Sequence, residues 1–311
     1  MKKAIVTGAS GFIGSELCNY LTENGVLVYA VLRSEGSYLE QFRDNDLIIP
    51  IYCDMENVVS LYRKITEEAD VFYHLAWAGI SGKDRENYKL QLQSIKWTMD
   101  AVTVADKLGC KRFVGAGTLA EIDVNNYSSL DGSTPNLASE YGAAKISAHY
   151  MSKALCNSLH IDHLWGIISN AYGENDKSTN FINFASDLIV SDKSADFTDG
   201  EQWYDFVHVH DVAKGLYCIG ENGKSNYSYY IGSGYSRKLK DFIIEMRDIL
   251  KPGKQLNLGA VPFNGISSSI ETFDCSKLME HTGYLSQISF AEGIKKIKEK
   301  RGWKNDKNGK F

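Results

Sequence analysis

Apolar residues come in short runs, each followed by a stretch with helical spacing, and that order repeats along the first half of the chain. Residues 4–6 form an apolar run that ends in a glycine-rich turn, and Phe12, Ile13, Leu17 and Leu21 then recur at helical intervals. Further strand-length runs lie at residues 26–32, 48–52, 71–76, 112–116 and 163–169, and long helical patterns fill residues 85–108 and 140–158. This alternation predicts an α/β fold, a parallel doubly wound sheet of Rossmann type covered by helices on both faces. Beyond Tyr172-Gly173 the pattern loosens into a polar loop at residues 174–179, where a second, smaller module is expected to begin. Helical periodicity returns at residues 239–250 and 290–298, and the polar tail at 301–311 is expected to fray. The expected division places residues 1–170 in the first domain, with 207–235 returning to it, and 171–206 with 236–311 in an interleaved second domain.

Composition narrows the class. A chain of 311 residues suits one large domain with a smaller companion. The formal net charge is −5 with no basic block, which argues against nucleic acid or an anionic membrane surface as partner. Six cysteines are scattered without a C-x-x-C pair, as expected of reduced thiols in a cytoplasmic protein. Lys2 and Lys3 precede an apolar run too short for a signal-peptide core, and no run reaches membrane-spanning length.

The candidate chemistry falls in three stretches. Gly8, Gly11 and Gly14 form G-x-x-G-x-x-G between the first strand and the first helix. Glycine is needed where backbone turns sharply against a phosphate, and the N-terminal N–H groups of the helix, at Phe12 and Ile13, suit a pyrophosphate. The alternative is a glycine-rich turn with no ligand. At the end of the second strand, Leu32-Arg33-Ser34 offers no carboxylate for an adenosine ribose, and Arg33 suits a 2′-phosphate, so NADP(H) is favoured and NAD(H) remains possible. A solvated arginine is the plainer reading. After the third strand, Asp54 either meets the adenine amine or caps the helix that begins near Glu56.

The third stretch is Tyr141-Gly142-Ala143-Ala144-Lys145, a phenol and an ammonium one helical turn apart. A phenol titrates near ~10, and a neighbouring cation stabilises its phenolate, which makes a proton donor usable nearer neutrality. Thr118 supplies a hydroxyl upstream, at the end of Phe113-Val114-Gly115-Ala116-Gly117-Thr118. His74 reads as a packed strand histidine, since nothing near it in sequence would orient it. His208 and His210 alternate on an expected strand as a metal pair would, but no further ligand set accompanies them, so no metal is assigned. Asp211 then reads as a helix cap.

Together these motifs resemble the extended short-chain dehydrogenase/reductase family, in the branch that acts on nucleotide sugars. The resemblance is carried by Thr7-Gly8-Ala9-Ser10-Gly11-Phe12-Ile13-Gly14, His74-Leu75-Ala76, Thr118 with Tyr141 and Lys145, Asn170-Ala171-Tyr172-Gly173, and Asp205 through Ala213. It implies a dinucleotide-binding first domain, contacted at Leu75 and Ala76 as well as at the glycines, and a second domain for the nucleotide sugar that sets specificity. It assigns acid/base chemistry to Tyr141, the nicotinamide ribose and the tyrosine pKa to Lys145, the substrate oxygen to Thr118, and the sugar nucleotide to Asn170. A homodimer is the usual family arrangement.

Three departures qualify that resemblance. Tyr204 stands where the family places an arginine for the diphosphate, and Ser94 where many members have an asparagine. Leu119 and Ala120 replace the aspartate and glutamate of the sugar dehydratases, and Glu121, one position on, is expected to face away. Within that branch the chain resembles CDP-abequose synthase-like 4-ketoreductases, which implies NADPH-dependent reduction of a nucleotide-linked 4-keto-6-deoxy sugar. An NAD-dependent nucleotide-sugar 4-epimerase is the alternative. A non-catalytic dinucleotide sensor is a third reading, opposed by the intact Thr118, Tyr141 and Lys145.

Overall fold

The computed structural model describes residues 1–37, 40–128, 132, 135–263, 265 and 267–303. The expectation for the tail beyond residue 303 lies outside the described residues. In chain order the first half runs β1 (Lys3–Thr7), α1 (Phe12–Glu23), β2 (Leu27–Leu32), β3 (Ile48–Tyr52), β4 (Val71–His74), α2 (Tyr88–Lys107), β5 (Arg112–Thr118), α3 (Leu119–Ser128), α4 (Ser139–Ser158) and β6 (Asp162–Ile168). The second half begins with β7 (Asn170–Tyr172), α5 (Phe181–Val190), β8 (Ala195–Phe197), β9 (Trp203–Tyr204), β10 (Phe206–His208) and α6 (Val209–Asn222). It continues with β11 (Ser228–Ile231), β12 (Arg237–Lys238), α7 (Leu239–Leu250), β13 (Leu256–Leu258), α8 (Ser276–Thr282) and α9 (Phe290–Lys300).

Among the described residues, seven strands form one parallel sheet in the order β11-β6-β5-β4-β1-β2-β3. The chain leaves β1 toward β2 and β3, then returns to the other side of β1 with β4, so the strand order reverses beside β1. In doubly wound sheets a ligand crevice opens at such a reversal. The expected Rossmann-type sheet is therefore the observed one. Parallel strands buried on both faces need near-continuous apolar runs, and β1, β4 and β5 supply them with Ile5, Phe72 and Phe113 fully buried.

Register explains one face of this sheet. Thr7 pairs with His74, His74 with Gly115, and Gly115 with Trp165. Residues at the same level of a parallel sheet share a face, so the Trp165 indole has to lie across β5. It does, because Gly115 and Gly117 carry no side chain: a Cβ on Gly115 would sit 2.1 Å from the indole and one on Gly117 2.3 Å from its Nε1. His149 of α4 stacks on the other side of the indole, with ring centroids 4.6 Å apart.

The chain divides into two compact units. The first comprises Met1–Ile168, Val212–Ile231 and Cys275–Tyr284, and the second Ser169–Asp211, Gly232–Asp274 and Leu285–Phe311. The expected division differs at residues 275–284, and residues 169–170, 207–211 and 232–235, expected in the first domain, fall in the second unit. Residues 275–284 belong with the first unit because His281 Nδ1 lies 3.0 Å from the Tyr229 hydroxyl of β11, and Tyr284 is buried there beside Gly215. The second unit has its own aromatic core, in which Phe242 packs against Phe206 and Phe290 at 5.0 and 4.7 Å between ring centroids.

Two local expectations in the second half are corrected. The alternation at residues 204–211 does not continue as a strand: β10 stops at His208 and α6 starts at Val209, so His210 is helical. Asp211 is no cap either. Lying within the first turn of α6, its carboxylate accepts the Gln287 and Ile288 N–H groups at 2.7 and 2.9 Å.

The space taken by the indole gives a stability prediction. Gly115→Ala should destabilise the fold by roughly 1–3 kcal/mol through overpacking, seen as a lowered midpoint in thermal or urea unfolding. An unchanged midpoint would mean that Trp165 does not occupy that position.

Candidate active site

The turn between β1 and α1 is closed by its three glycines. Gly8 has φ +71°, and a Cβ on it would meet the backbone of Ala76 and Leu75 at 2.9 and 3.0 Å. The Gly11 N–H donates to the Gly8 carbonyl at 2.9 Å, and a Cβ on Gly14 would lie 2.1 Å from the same oxygen. Gly11 caps α1 without a side-chain bond, and no carboxylate stands in the first turn. The N–H groups that open a helix have no intrahelical acceptor, so those at Phe12 and Ile13 are placed for an anion. Leu75 and Ala76 are tied to this turn through Thr7, whose carbonyl accepts Leu75 N–H at 3.3 Å and whose hydroxyl accepts Ala76 N–H at 3.4 Å.

Thr7 also orients His74, for which the sequence offered no partner: its hydroxyl lies 2.9 Å from Nδ1. Burial first, then the Lys145 charge, lowers the His74 pKa to about 3, and its Nε2 has no partner among the described residues. It is a neutral histidine packed on the Phe113 ring.

Thr118 ends β5, and Tyr141 and Lys145 are both buried on α4. The structure brings all three together. The Thr118 hydroxyl lies near enough to the Tyr141 phenol to influence its titration. Burial pushes the Tyr141 phenol above its ordinary value, while the Arg85 guanidinium and the Thr118 hydroxyl pull it down. Lys145 Nζ donates to the Ala116 carbonyl at 2.8 Å and sits 3.9 Å from the Trp77 ring centroid. Burial lowers its pKa to about 8, with the Glu121 charge opposing. The cation nearest the Tyr141 ring is Arg85, at 4.3 Å from the centroid, whereas Lys145 is at 6.0 Å. Neither Arg85 nor Trp77 was singled out from sequence, although a tryptophan directly after His74-Leu75-Ala76 was a visible signal.

Glu121 does not face away. Directions diverge between neighbours on a strand, but α3 starts at Leu119 and brings Glu121 inward, 3% exposed. Its carboxylate accepts the Thr118 N–H at 2.9 Å and the Trp165 indole N–H at 3.1 Å, and lies 3.3 Å from His149 Nδ1. His149 Nε2 in turn lies 2.9 Å from the Ser228 hydroxyl.

The profile of the NAD dependent epimerase/dehydratase family matches residues 4–232. The chain belongs to that family. CDP-abequose synthase of Salmonella typhimurium is 24% identical over 303 residues, covering 94% of this chain and 96% of that protein. UDP-glucose 4-epimerase from Thermotoga maritima, solved with UDP-glucose, superposes with a TM-score of 0.76 at 22% identity, over 96% of this chain and 98% of that one. RMD from Pseudomonas aeruginosa, solved with NADPH, gives 0.72 at 18% identity, over 96% and 98%. These structures share the fold.

A family dinucleotide fits the residues present: the cradle at Gly8 and Gly14 has no room for a Cβ, and the N-terminus of α1 carries no side-chain cap. Arg33 and Asp54 meet at the ends of the neighbouring strands β2 and β3, with Arg33 Nε 3.9 Å from Asp54 Oδ2. Asp54 Oδ1 accepts the Glu56 N–H at 3.0 Å, so the carboxylate is a cap, and the element it caps is a 3-10 helix, Met55–Arg63. The Arg33 side chain is 82% exposed, and an ion pair this open holds it only weakly.

The remaining two sequence candidates lie in the second unit. Asn170 Nδ2 donates to the Asp205 carbonyl at 3.0 Å, and the Asp205 carboxylate accepts the Ser233 N–H at 3.1 Å. Tyr204 packs against Phe206 and Phe181, at 5.3 and 6.4 Å between centroids, and faces Arg237 across the β9–β12 pair. That arginine pairs with Glu245 and lies over Phe242.

The buried lysine carries a pH signature. Its native pKa is about 8 against an ordinary value of 10.5. Above about pH 8 the native state has lost the proton that the unfolded chain still binds, so stability rises between these two values and is lost again as pH falls through the lower one. Relative to Lys145→Met, the unmodified protein should therefore gain thermal stability as pH is raised across that window, with the variant the more stable at pH 7. A difference between the two that does not vary with pH would show that the buried ammonium carries no such penalty.

Proposed function

We propose that this enzyme reduces a nucleotide-linked 4-keto-6-deoxy sugar with NADPH, Tyr141 acting as general acid. The observation that carries the reading is the proximity of the Thr118 hydroxyl, at the end of β5, to the buried Tyr141 phenol. The bound nicotinamide supplies the hydride. Tyr141 passes its proton to the sugar oxygen as negative charge develops there, and Thr118 bonds the same oxygen, so proton transfer and electrostatic stabilisation act at one atom. Lys145, anchored by the Ala116 carbonyl, takes the nicotinamide ribose with its remaining N–H groups. Gly8, Gly11 and Gly14 take the pyrophosphate and Arg33 the 2′-phosphate.

Dehydration is excluded from this reading. Leu119 and Ala120 offer no acid or base, and the Glu121 carboxylate is occupied by buried donors. Reduction is favoured over 4-epimerisation because Arg33 suits NADPH, a cofactor consumed and released in each turnover. Apolar side chains exposed on α2 (Tyr88, Leu92) and α4 (Tyr150, Met151) support self-association of two copies.

The test is an absorbance scan of freshly purified protein, followed by NADPH oxidation with a 4-keto-6-deoxy nucleotide sugar. Steady NADPH consumption is expected, and Tyr141→Phe should reduce it ~100-fold or more with cofactor affinity nearly intact. Stoichiometric NAD carried through purification, with sugar epimers interconverting and no NADPH consumed, would make the enzyme an epimerase instead. Arg33 should favour NADPH over NADH by about tenfold to a hundredfold, from a charge-assisted bond to the phosphate. Calorimetry should show Arg33→Ala erasing most of that preference; equal binding of both cofactors by the unmodified protein would reduce Arg33 to a surface charge.

A further inference from the structure

The loop between β4 and α2 is held in place by buried bonds. Gly79, at φ +69°, leaves no space for a side chain: a Cβ there would lie 2.5 Å from the Asp84 carbonyl and 2.7 Å from the Gln91 amide nitrogen. That amide, 2% exposed, donates to the carbonyls of Gly79 and Asp84 at 2.9 and 3.2 Å, and its oxygen accepts the Trp77 indole N–H at 2.9 Å. Ser94 accepts the Ala78 N–H at 2.9 Å. So Gln91 and Ser94 of α2 fix the loop whose 3-10 turn, Gly82–Glu86, carries Arg85.

Arg85 is placed by that loop with its guanidinium carbon 4.3 Å from the centre of the Tyr141 ring. Its Nε is buried and has no hydrogen-bond partner among the described residues. A buried guanidinium N–H without an acceptor is unfavourable, and a fixed loop maintains it beside the proton donor. A bound ligand with an oxygen at this point would satisfy it.

Resting on the reading of Tyr141 as the proton donor, we propose that Arg85 is a further catalytic residue that contacts the substrate. Its N–H groups hold a hydroxyl or carbonyl oxygen of the sugar beside the reacting carbon, and its charge stabilises the phenolate left after proton transfer. The Tyr141 O–H bond breaks, the proton joins the substrate oxygen, and Arg85 keeps all its own protons. Of the other charged groups facing Tyr141, Lys145 is on the same helix, with its ammonium 6.0 Å from the ring. Glu121 of α3 opposes the phenolate, and burial raises the pKa of Asp123 of α3, with the nearby Arg85 charge opposing that rise.

Two measurements on the full chain test this, using Arg85→Ala and Arg85→Lys. Ultraviolet difference titration against Tyr141→Phe in each background reads the phenol directly and needs no turnover. The midpoint should move to higher pH in Arg85→Ala and return part of the way in Arg85→Lys. In steady-state assays with NADPH and a 4-keto-6-deoxy nucleotide sugar, Arg85→Ala should lose on the order of tenfold to a hundredfold in kcat/KM, the loss of a bond to a charged donor. Its alkaline limb should shift upward, since a less acidic phenol stays protonated to higher pH, and Arg85→Lys should restore the limb better than KM.

An Arg85→Ala protein whose phenol titrates as before overturns the proposal. So does one that keeps normal kcat/KM on a substrate the unmodified enzyme turns over. An unmodified enzyme that turns over no nucleotide sugar, while the Arg85→Ala midpoint still moves, would retire the functional reading and support the coupling of Arg85 to Tyr141.

Discussion

The Trp165 indole lying across two missing side chains is the constraint on which the site depends. Gly115 and Gly117 leave the space, and the indole N–H reaches through to Glu121. Glu121 in turn accepts the backbone N–H of Thr118, so the end of β5 is tied to β6 and α4 by one buried carboxylate. A buried charge is tolerable when several donors satisfy it. Remove the space, the indole or the carboxylate, and Thr118 loses the anchor that sets its hydroxyl against Tyr141.

The electrostatics of the site follow from the same burial. Desolvation raises the phenol and lowers the lysine to about 8, so the lysine comes to lie below the phenol and the two move apart in pKa. Arg85 pulls the phenol back down, and the Glu121 charge props up the lysine. Lys145 lies over the Trp77 ring at 3.9 Å, while Arg85 covers the ring of Tyr141. The buried lysine destabilises the fold near neutrality, which is the usual bargain between an active site and its scaffold.

Much of this was legible in the chain. Apolar runs of strand length alternating with helical spacing specify the parallel sheet, and the three glycines, Thr118, Tyr141 and Lys145 stand out because their chemistry depends on short spacings. What stayed hidden depends on contacts distant in sequence. Glu121 turns inward because α3 starts directly after β5 with no turn residue to mark it. Arg85 is aimed by Gln91 and Gly79, a tertiary arrangement that no spacing announces. Val207-His208-Val209-His210 alternates like a strand, yet the helix begins within it. Residues 275–284 return to the first unit through His281 and Tyr284, whose partners lie in β11 and α6.

The central claim is that the paired hydroxyls of Thr118 and Tyr141 serve a net reduction, with the sugar carbon receiving a hydride that leaves with the product. The most direct measurement supplies NADPH deuterated at nicotinamide C4, on the face that transfers, with a 4-keto-6-deoxy nucleotide sugar, and locates the label in the product by NMR. The account predicts one deuterium at sugar C4 for each NADPH oxidised. Sugar epimers formed without label, on enzyme that keeps its own NAD, would contradict it.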